Sequence, residues 1–258
     1  MGAIAGFTIF LGLPIARMKS ASPKFKGMLN AAAAGILLFL LVEVLKHAME
    51  ATEENFLGSL AGEVPLMTGI LYVALLIGGV AIGLLGLVWF EERFIKNKLK
   101  NNSKHPEFDA KRVAMMIAIG IGLHNFSEGL AIGQSYAGGA ISLAFLLVIG
   151  FGLHNATEGF GIAAPLSGSR PSWKFLALAG LIAGGPTFLG TIIGSVWVSP
   201  AISAFFLALA AGAIIYVIKE LLYHGRIKGE GIAVMGFLLL GFFIGFGTDL
   251  IIEFASTV

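Results

Sequence analysis

His124-Asn125-Phe126-Ser127-Glu128-Gly129 and His154-Asn155-Ala156-Thr157-Glu158-Gly159 are two near-copies of one motif, 30 residues apart, each inside a long apolar stretch. Packing alone would favour Leu, Val or Ala at such positions. In a helix, residues i and i+4 share a face, so each copy presents an imidazole and a carboxylate on one side. Two such faces turned toward each other would supply the nitrogen and oxygen donors that bind a divalent metal ion.

The composition around the motif is that of a membrane protein. Of 258 residues, 57% are hydrophobic and 12% are charged, whereas soluble domains are about 25% charged. Backbone polar groups must be satisfied internally in lipid, so the recurrent apolar runs predict an all-α polytopic membrane protein. The chain has no Cys, so a metal site must use nitrogen and oxygen donors. The net charge of +2 argues against a nucleic-acid partner, and no organic cofactor is expected.

Apolar runs separated by charged residues or by Pro and Gly predict eight transmembrane helices. Each is close to the ~20 residues that cross the hydrocarbon core. The chain is expected to form one transmembrane domain over residues 1–258. The predicted helices are 2–16, 28–49, 64–90, 112–134, 138–164, 174–195, 201–223 and 231–254.

The distribution of basic residues predicts the orientation of these helices. Lys and Arg collect on the cytoplasmic side of membrane proteins. All of the 17 basic residues except Lys46 fall in, or at the edge of, alternate connections, the longest of which is 91–111. Both termini are therefore expected outside, with 91–111 as a cytoplasmic loop.

The two motifs are expected to meet near the middle of the bilayer. From Arg112 to His124 is about 18 Å of helix, and the next predicted helix runs the other way. Ionisable groups at this depth cost about 3 kcal/mol each. One buried His–Glu pair is often only a hydrogen-bonded pair, but its repetition at the same depth favours a functional site.

Small and hydroxyl residues inside the motifs have simpler expected roles. Gly129 and Gly159 suit close helix packing. Ser127 and Thr157 could bind a metal or bond back to a preceding carbonyl, and we favour the second.

The second predicted helix carries Glu43, His47 and Glu50 on one face. We interpret Glu43 and His47 as an approach path that concentrates cations and hands them inward. Glu50 fits that path and an ordinary solvated helix end equally well.

Two further groups of charged residues have open interpretations. Glu220, beside Lys219 near the end of the seventh helix, fits either an exit step or a surface ion pair. Asp249 and Glu253 are interpreted as an ordinary solvated helix end.

The paired motif, followed by Ile162-Ala163-Ala164-Pro165-Leu166, resembles the fourth and fifth helices of the ZIP divalent metal transporters. Ala33-Ala34-Gly35 and Ala211-Gly212-Ala213 resemble that family as well. The eight-helix layout agrees over essentially the full chain.

The resemblance implies a transporter and not an enzyme: a homodimeric, multi-pass plasma-membrane importer. Its substrate would be zinc or another divalent transition metal, such as iron, manganese or cadmium. Glu220 would lie on the cytoplasmic exit. The implied metal ligands are His124, Asn125, Glu128, His154, Asn155 and Glu158.

The chain departs from the family pattern at three positions. Many members have Pro before the motif Glu, where this chain has Ser127 and Thr157. Many also have Glu before the Pro of the sixth helix, where Gly185 precedes Pro186. One metal position is therefore expected, and a second would need Glu43 or water to complete it.

The functional hypothesis is import by alternating access around this midplane site. The alternative is an intramembrane zinc-dependent hydrolase with a metal-bound water. No H-E-x-x-H motif is present, and ligands from two similar adjacent helices suit a transport path better than a nucleophile.

Overall fold

The computed structural model describes residues 1–17, 22–96, 106–197, 199–224 and 231–256. Within these ranges the chain forms eight α-helices and no strand. The helices are α1 Gly2–Phe7, α2 Pro23–Leu60, α3 Leu66–Phe90, α4 Pro106–Ala137, α5 Ile141–Ala163, α6 Trp173–Val196, α7 Pro200–His224 and α8 Gly231–Ser256.

The helices α2 to α7 are each long and apolar enough to cross a membrane, and the segments Gly2–Arg17 and Gly231–Gly247 are shorter apolar helices. The eight helices correspond in order to the eight predicted segments. The prediction of an all-α polytopic membrane protein is confirmed, and the side on which the termini lie stays a prediction.

The first predicted segment, 2–16, is not one regular helix. After α1 the chain tightens into 3₁₀ turns at Thr8–Leu11 and Leu13–Arg17. Thr8 Oγ1 donates to the carbonyl of Ala5 at 2.7 Å, and a hydroxyl bonded to the preceding turn competes with the regular ladder. Pro14 lacks the N–H that an α-helix would use. The segment therefore does not continue as one regular α-helix beyond Phe7.

Helix α2 is longer than the predicted 28–49 at both ends. Ser22 caps its start by accepting a hydrogen bond from Phe25 N at 3.1 Å, and Pro23 occupies the first turn. Beyond residue 49 the charged residues end the apolar run but not the helix, because Ala and Glu are good helix formers.

The predicted loop 91–111 is partly helical. The chain continues past α3 as a π-helical segment, Glu91–Lys96, and α4 begins at Pro106. The part of the predicted loop between 97 and 105 lies outside the described residues. The other helices begin and end within about three residues of the predicted bounds, except that α4 starts six residues earlier.

The helices pack in two groups that meet at the centre. Helices α1 and α4 pack with α6, and α5 packs with α4 and α1, while α2, α3 and α8 pack with α7 or with one another. Helix α4 also contacts α7, and α5 contacts α2 and α8. The two motif helices, α4 and α5, therefore form the side of the first group that faces the second.

Candidate metal centre

The first motif forms a buried His–Glu pair on α4. His124 Nε2 lies 3.0 Å from Glu128 Oε1, and the two side chains are 6% and 4% exposed. The i, i+4 spacing predicted this shared face.

The second motif faces the first from α5. The ring centroids of His124 and His154 are 6.0 Å apart, and His154 Nε2 lies 3.9 Å from Glu158 Oε1. His124, Glu128 and His154 each contribute one donor atom, and these three atoms lie within 4.8 Å of one another. Imidazole nitrogens and a carboxylate oxygen at this separation form a ligand set suited to a divalent transition metal.

Several donor atoms of this cluster have no hydrogen-bond partner in the part of the chain described. They are Glu128 Oε2, His154 Nε2 and both carboxylate oxygens of Glu158. Buried polar atoms are nearly always satisfied, because an unpaired one costs roughly 1–3 kcal/mol. A cation bound among these atoms would satisfy them together.

The motif Asn residues have a structural contact as well as a donor atom. Asn125 Nδ2 donates to the carbonyl of Ala183 at 3.0 Å, three residues before Pro186 inside α6. Asn155 Nδ2 donates at 3.0 Å to the carbonyl of Ala5, where α1 is about to end. In both residues Oδ1 is buried without a partner. Each amide thus fixes its side chain to a backbone carbonyl of a neighbouring helix and keeps an oxygen available to an ion.

The small and hydroxyl residues of the motifs behave as expected. Ser127 Oγ and Thr157 Oγ1 donate to the carbonyls of His124 and His154 at 2.6 Å. A methyl group on Gly129 would lie 2.2 Å from the carbonyl oxygen of Thr187 on α6. The hydroxyl groups are therefore engaged with the backbone, and Gly129 permits close packing between α4 and α6.

A cavity of about 600 Å³ leads to the cluster, and His124, Glu128 and His154 are among its lining residues. Its other walls include Gln134 near the end of α4 and Ser203 near the start of α7. Antiparallel neighbours bring these two positions to one end of the bundle. The cavity therefore opens at the end that the charge distribution predicts to face outside.

Of the predicted approach residues, Glu43 and His47 line this cavity, and Glu50 is not among its lining residues. His47 Nδ1 donates to the Glu43 carbonyl at 2.9 Å, which leaves Nε2 as the possible metal donor of a neutral ring. Glu50 is exposed and lies 3.8 Å from Lys46 Nζ. The structure thus separates Glu50 from the other two.

Asp249 on α8 is a cavity residue that the sequence interpretation missed. Its carboxyl group lies beside that of Glu43 and is close enough to His154 to act on it electrostatically. The only feature of the sequence that could have predicted this position is a carboxylate near the end of an apolar helix. The same feature is found at helix ends that are simply exposed to solvent. The side chain of Glu253, four residues on, lies outside the described residues.

Glu220 lies at the opposite end of the bundle, away from the cavity. Its side chain is only 4% exposed, so the ion pairs that it forms are buried and do not match the surface ion pair that was one of its two interpretations. It pairs with Lys219 and, at 3.5 Å, with Arg112 Nη2. Arg112 also forms a close ion pair with Glu91, a buried carboxylate that we expected to belong to a loop.

Comparison with known proteins agrees with the resemblance. The family model for ZIP zinc transporters matches residues 92–253, while no curated protein matches the chain. The match includes both motifs and spans more than half of the sequence. The predicted family is thus confirmed, and divalent metal transport is favoured over the hydrolase. This multi-pass membrane protein belongs to the ZIP zinc transporter family and is a transporter of divalent metal ions, not an enzyme.

Proposed function

We propose that the chain imports zinc across the plasma membrane through a site between α4 and α5. The observation that supports this most strongly is the convergence of donor atoms from His124, Glu128 and His154 within 4.8 Å, at the base of a cavity open at one end. The proposed ligand set is His124, Asn125, Glu128, His154, Asn155 and Glu158.

The chemistry of this set suits a transported ion. Two carboxylates offset the charge of a divalent cation, and imidazole nitrogens favour transition metals over Mg²⁺ or Ca²⁺. Helix α6 offers Gly185 before Pro186, not a carboxylate. The site therefore holds one metal ion, and iron, manganese or cadmium are secondary substrates.

The ion approaches along the cavity wall formed by Glu43, His47 and Asp249. Glu43 and Asp249 supply two carboxyl groups to this wall against the one cationic side chain of Lys46, and an excess of acidic groups raises the local concentration of cations. From there the ion passes inward to the two motifs. Glu220, at the far end of the bundle, lies on the exit.

Neutralising this wall is expected to weaken capture of the ion. Glu43→Gln or Asp249→Asn should each raise the zinc concentration for half-maximal uptake about fivefold, the effect of ~1 kcal/mol of lost attraction. The maximal rate should change little, because the ligands remain. Initial rates of zinc uptake over a concentration series would measure both quantities.

Glu53→Gln is the matched control, since Glu53 is an exposed carboxylate of α2 outside the cavity. If Glu43→Gln and Asp249→Asn have no more effect than this control, the approach path is wrongly assigned.

Transport would proceed by alternating access, with the site open to one side at a time. The sequence has no phosphate-binding G-x-x-x-x-G-K motif. The driving force is therefore the ion gradient or the membrane potential. We further propose that the transporter works as a homodimer, as the family resemblance implies.

The proposal is tested by reconstituting the purified protein in liposomes that contain a zinc-sensitive dye. We expect saturable zinc uptake without ATP, accelerated by an inside-negative potential. Iron(II), manganese and cadmium should compete with zinc to different extents. Absence of uptake above that of protein-free liposomes, with zinc still bound by the protein, would point to a receptor or a hydrolase instead.

A further inference from the structure

The metal cavity is closed at the end opposite its mouth. None of its lining residues lies on α4 before His124 or on α7 after Leu207. Arg112 lies twelve residues before His124 on the same helix, which corresponds to ~18 Å. An ion released toward the predicted cytoplasm must therefore pass a region that the structure shows as packed.

The first part of that region is apolar. Ile117 and Ile121 of α4 and Ala213 and Val217 of α7 are at most 1% exposed. A methyl group on Gly120 would lie 2.9 Å from Val217 Cγ2. Helices α4 and α7 are therefore in direct contact at this level, with no gap between them at Gly120.

The second part is a buried cluster of charged and polar groups at the end of the bundle. Arg112 pairs with Glu91 and, through Nη2, with Glu220 Oε2 at 3.5 Å. Tyr216 Oη donates to Glu91 Oε2 at 2.5 Å. The side chains of Arg112, Glu91 and Glu220 are 11%, 8% and 4% exposed. The cluster thus joins the ends of α3, α4 and α7.

Such a cluster is a poor way to stabilise a fold. Buried ion pairs gain little over apolar packing, because desolvation offsets their attraction. They are, however, strongly directional. A cluster in which one cation lies between two carboxylates can exist in two distinct states, with the ion pairs formed or with the partners separated. This makes the cluster suited to a two-state element.

We propose that the Glu91–Arg112–Glu220 cluster is the gate that closes the predicted cytoplasmic end while the cavity is open at the other end. The inference rests on the proposed function. Arg112 belongs to the helix that carries His124 and Glu128, whereas the two carboxylates belong to neighbouring segments. Displacement of α4 relative to α3 and α7 therefore breaks the cluster.

The open gate also offers the departing ion a place to bind. When Arg112 withdraws, Glu91 and Glu220 lose a cation that lies between them. A divalent ion leaving the site can take the place of the guanidinium group beside Glu91, while Glu220 keeps its ion pair with Lys219. Arg112 returns when the ion dissociates into the cytoplasm.

The gate can be tested by thiol accessibility, because the chain contains no Cys. Ala213→Cys places one thiol at a fully buried position of α7, between the metal site and the cluster. A membrane-impermeant thiol reagent is then applied to the predicted cytoplasmic face of oriented vesicles. We expect slow labelling of the thiol when Arg112 is present. With Arg112→Gln we expect labelling at least about tenfold faster, because a buried charge that has lost its partner destabilises the closed state.

Further variants separate opening of the gate from misfolding. The combined variant Glu91→Gln, Arg112→Gln and Glu220→Gln leaves no buried charge unpaired, because Lys219, the other partner of Glu220, is 64% exposed. It should also label fast, whereas Arg112→Lys should label slowly. Lys174→Gln removes an exposed charge on α6 and serves as the control. Labelling of Arg112→Gln and of the combined variant at the wild-type rate would overturn the gate.

Equilibrium zinc binding distinguishes failure of the gate from failure of the transport function. Arg112→Gln should bind zinc with wild-type affinity, since Arg112 is far from the ligands. If the wild-type protein neither binds nor transports zinc while the labelling pattern holds, the proposed substrate is wrong and the closure of this end by Arg112 stands.

Discussion

Replacing Glu128 and Glu158 together with Ala is expected to abolish zinc uptake and to weaken zinc binding by at least about 100-fold. Loss of a group that only orients a metal ligand already lowers metal affinity about 10–100-fold. This variant removes both carboxylates that offset the charge of the ion. Isothermal titration of the purified protein would give the affinity, and uptake into liposomes the rate.

Ser127→Ala is the matched control for this variant. Ser127 lies between the same ligands, but its hydroxyl donates to the carbonyl of His124 and is not required by the ion. Its zinc affinity should equal that of the wild type. Uptake by the double Ala variant at the wild-type rate would show that the ion crosses elsewhere.

Gly129→Val is expected to prevent the packing of α4 against α6 and thereby to remove the metal centre. The first added carbon alone would lie 2.2 Å from the Thr187 carbonyl oxygen, and backbone cannot yield as a flexible side chain can. Overpacking typically lowers the free energy of unfolding by about 1–3 kcal/mol. For a clash with backbone, we expect a loss at or above the upper end of this range. Thermal aggregation in detergent and the yield of monodisperse protein would measure the loss.

Gly78→Val is the comparison for this effect. Gly78 lies in the interior of α3, and a methyl group there would meet nothing within 4 Å. Equal loss of folded protein in both variants would mean that Val is poorly tolerated in any of these helices, and that close packing at Gly129 is not the cause.

The helix layout could be predicted from the sequence because hydropathy and charge act locally along the chain. An apolar run long enough to cross the membrane becomes a helix whatever its neighbours are. The meeting of His124 and His154 followed from two identical spacings on antiparallel helices. Local chemistry at the ends of α2 was less informative, since charged residues end a membrane segment without ending a helix.

The partners of the charged helix ends could not be predicted in this way. Asp249 and Glu91 each lie where an apolar run stops, which is also where solvated carboxylates are found. That Asp249 lies beside Glu43, and Glu91 beside Arg112, depends on which helices pack together. This information is tertiary and is absent from the spacing of residues along either helix.

The hydrogen bond from Asn155 to the Ala5 carbonyl makes the first helix part of the support of the metal centre. The orientation of a proposed metal ligand depends on a backbone atom that any residue type can provide, but only if α1 ends in the same place. Substitutions in residues 2–8 that move the end of α1 would therefore reorient this ligand while both motifs stay unchanged. A comparison that scores only the motifs would not detect them.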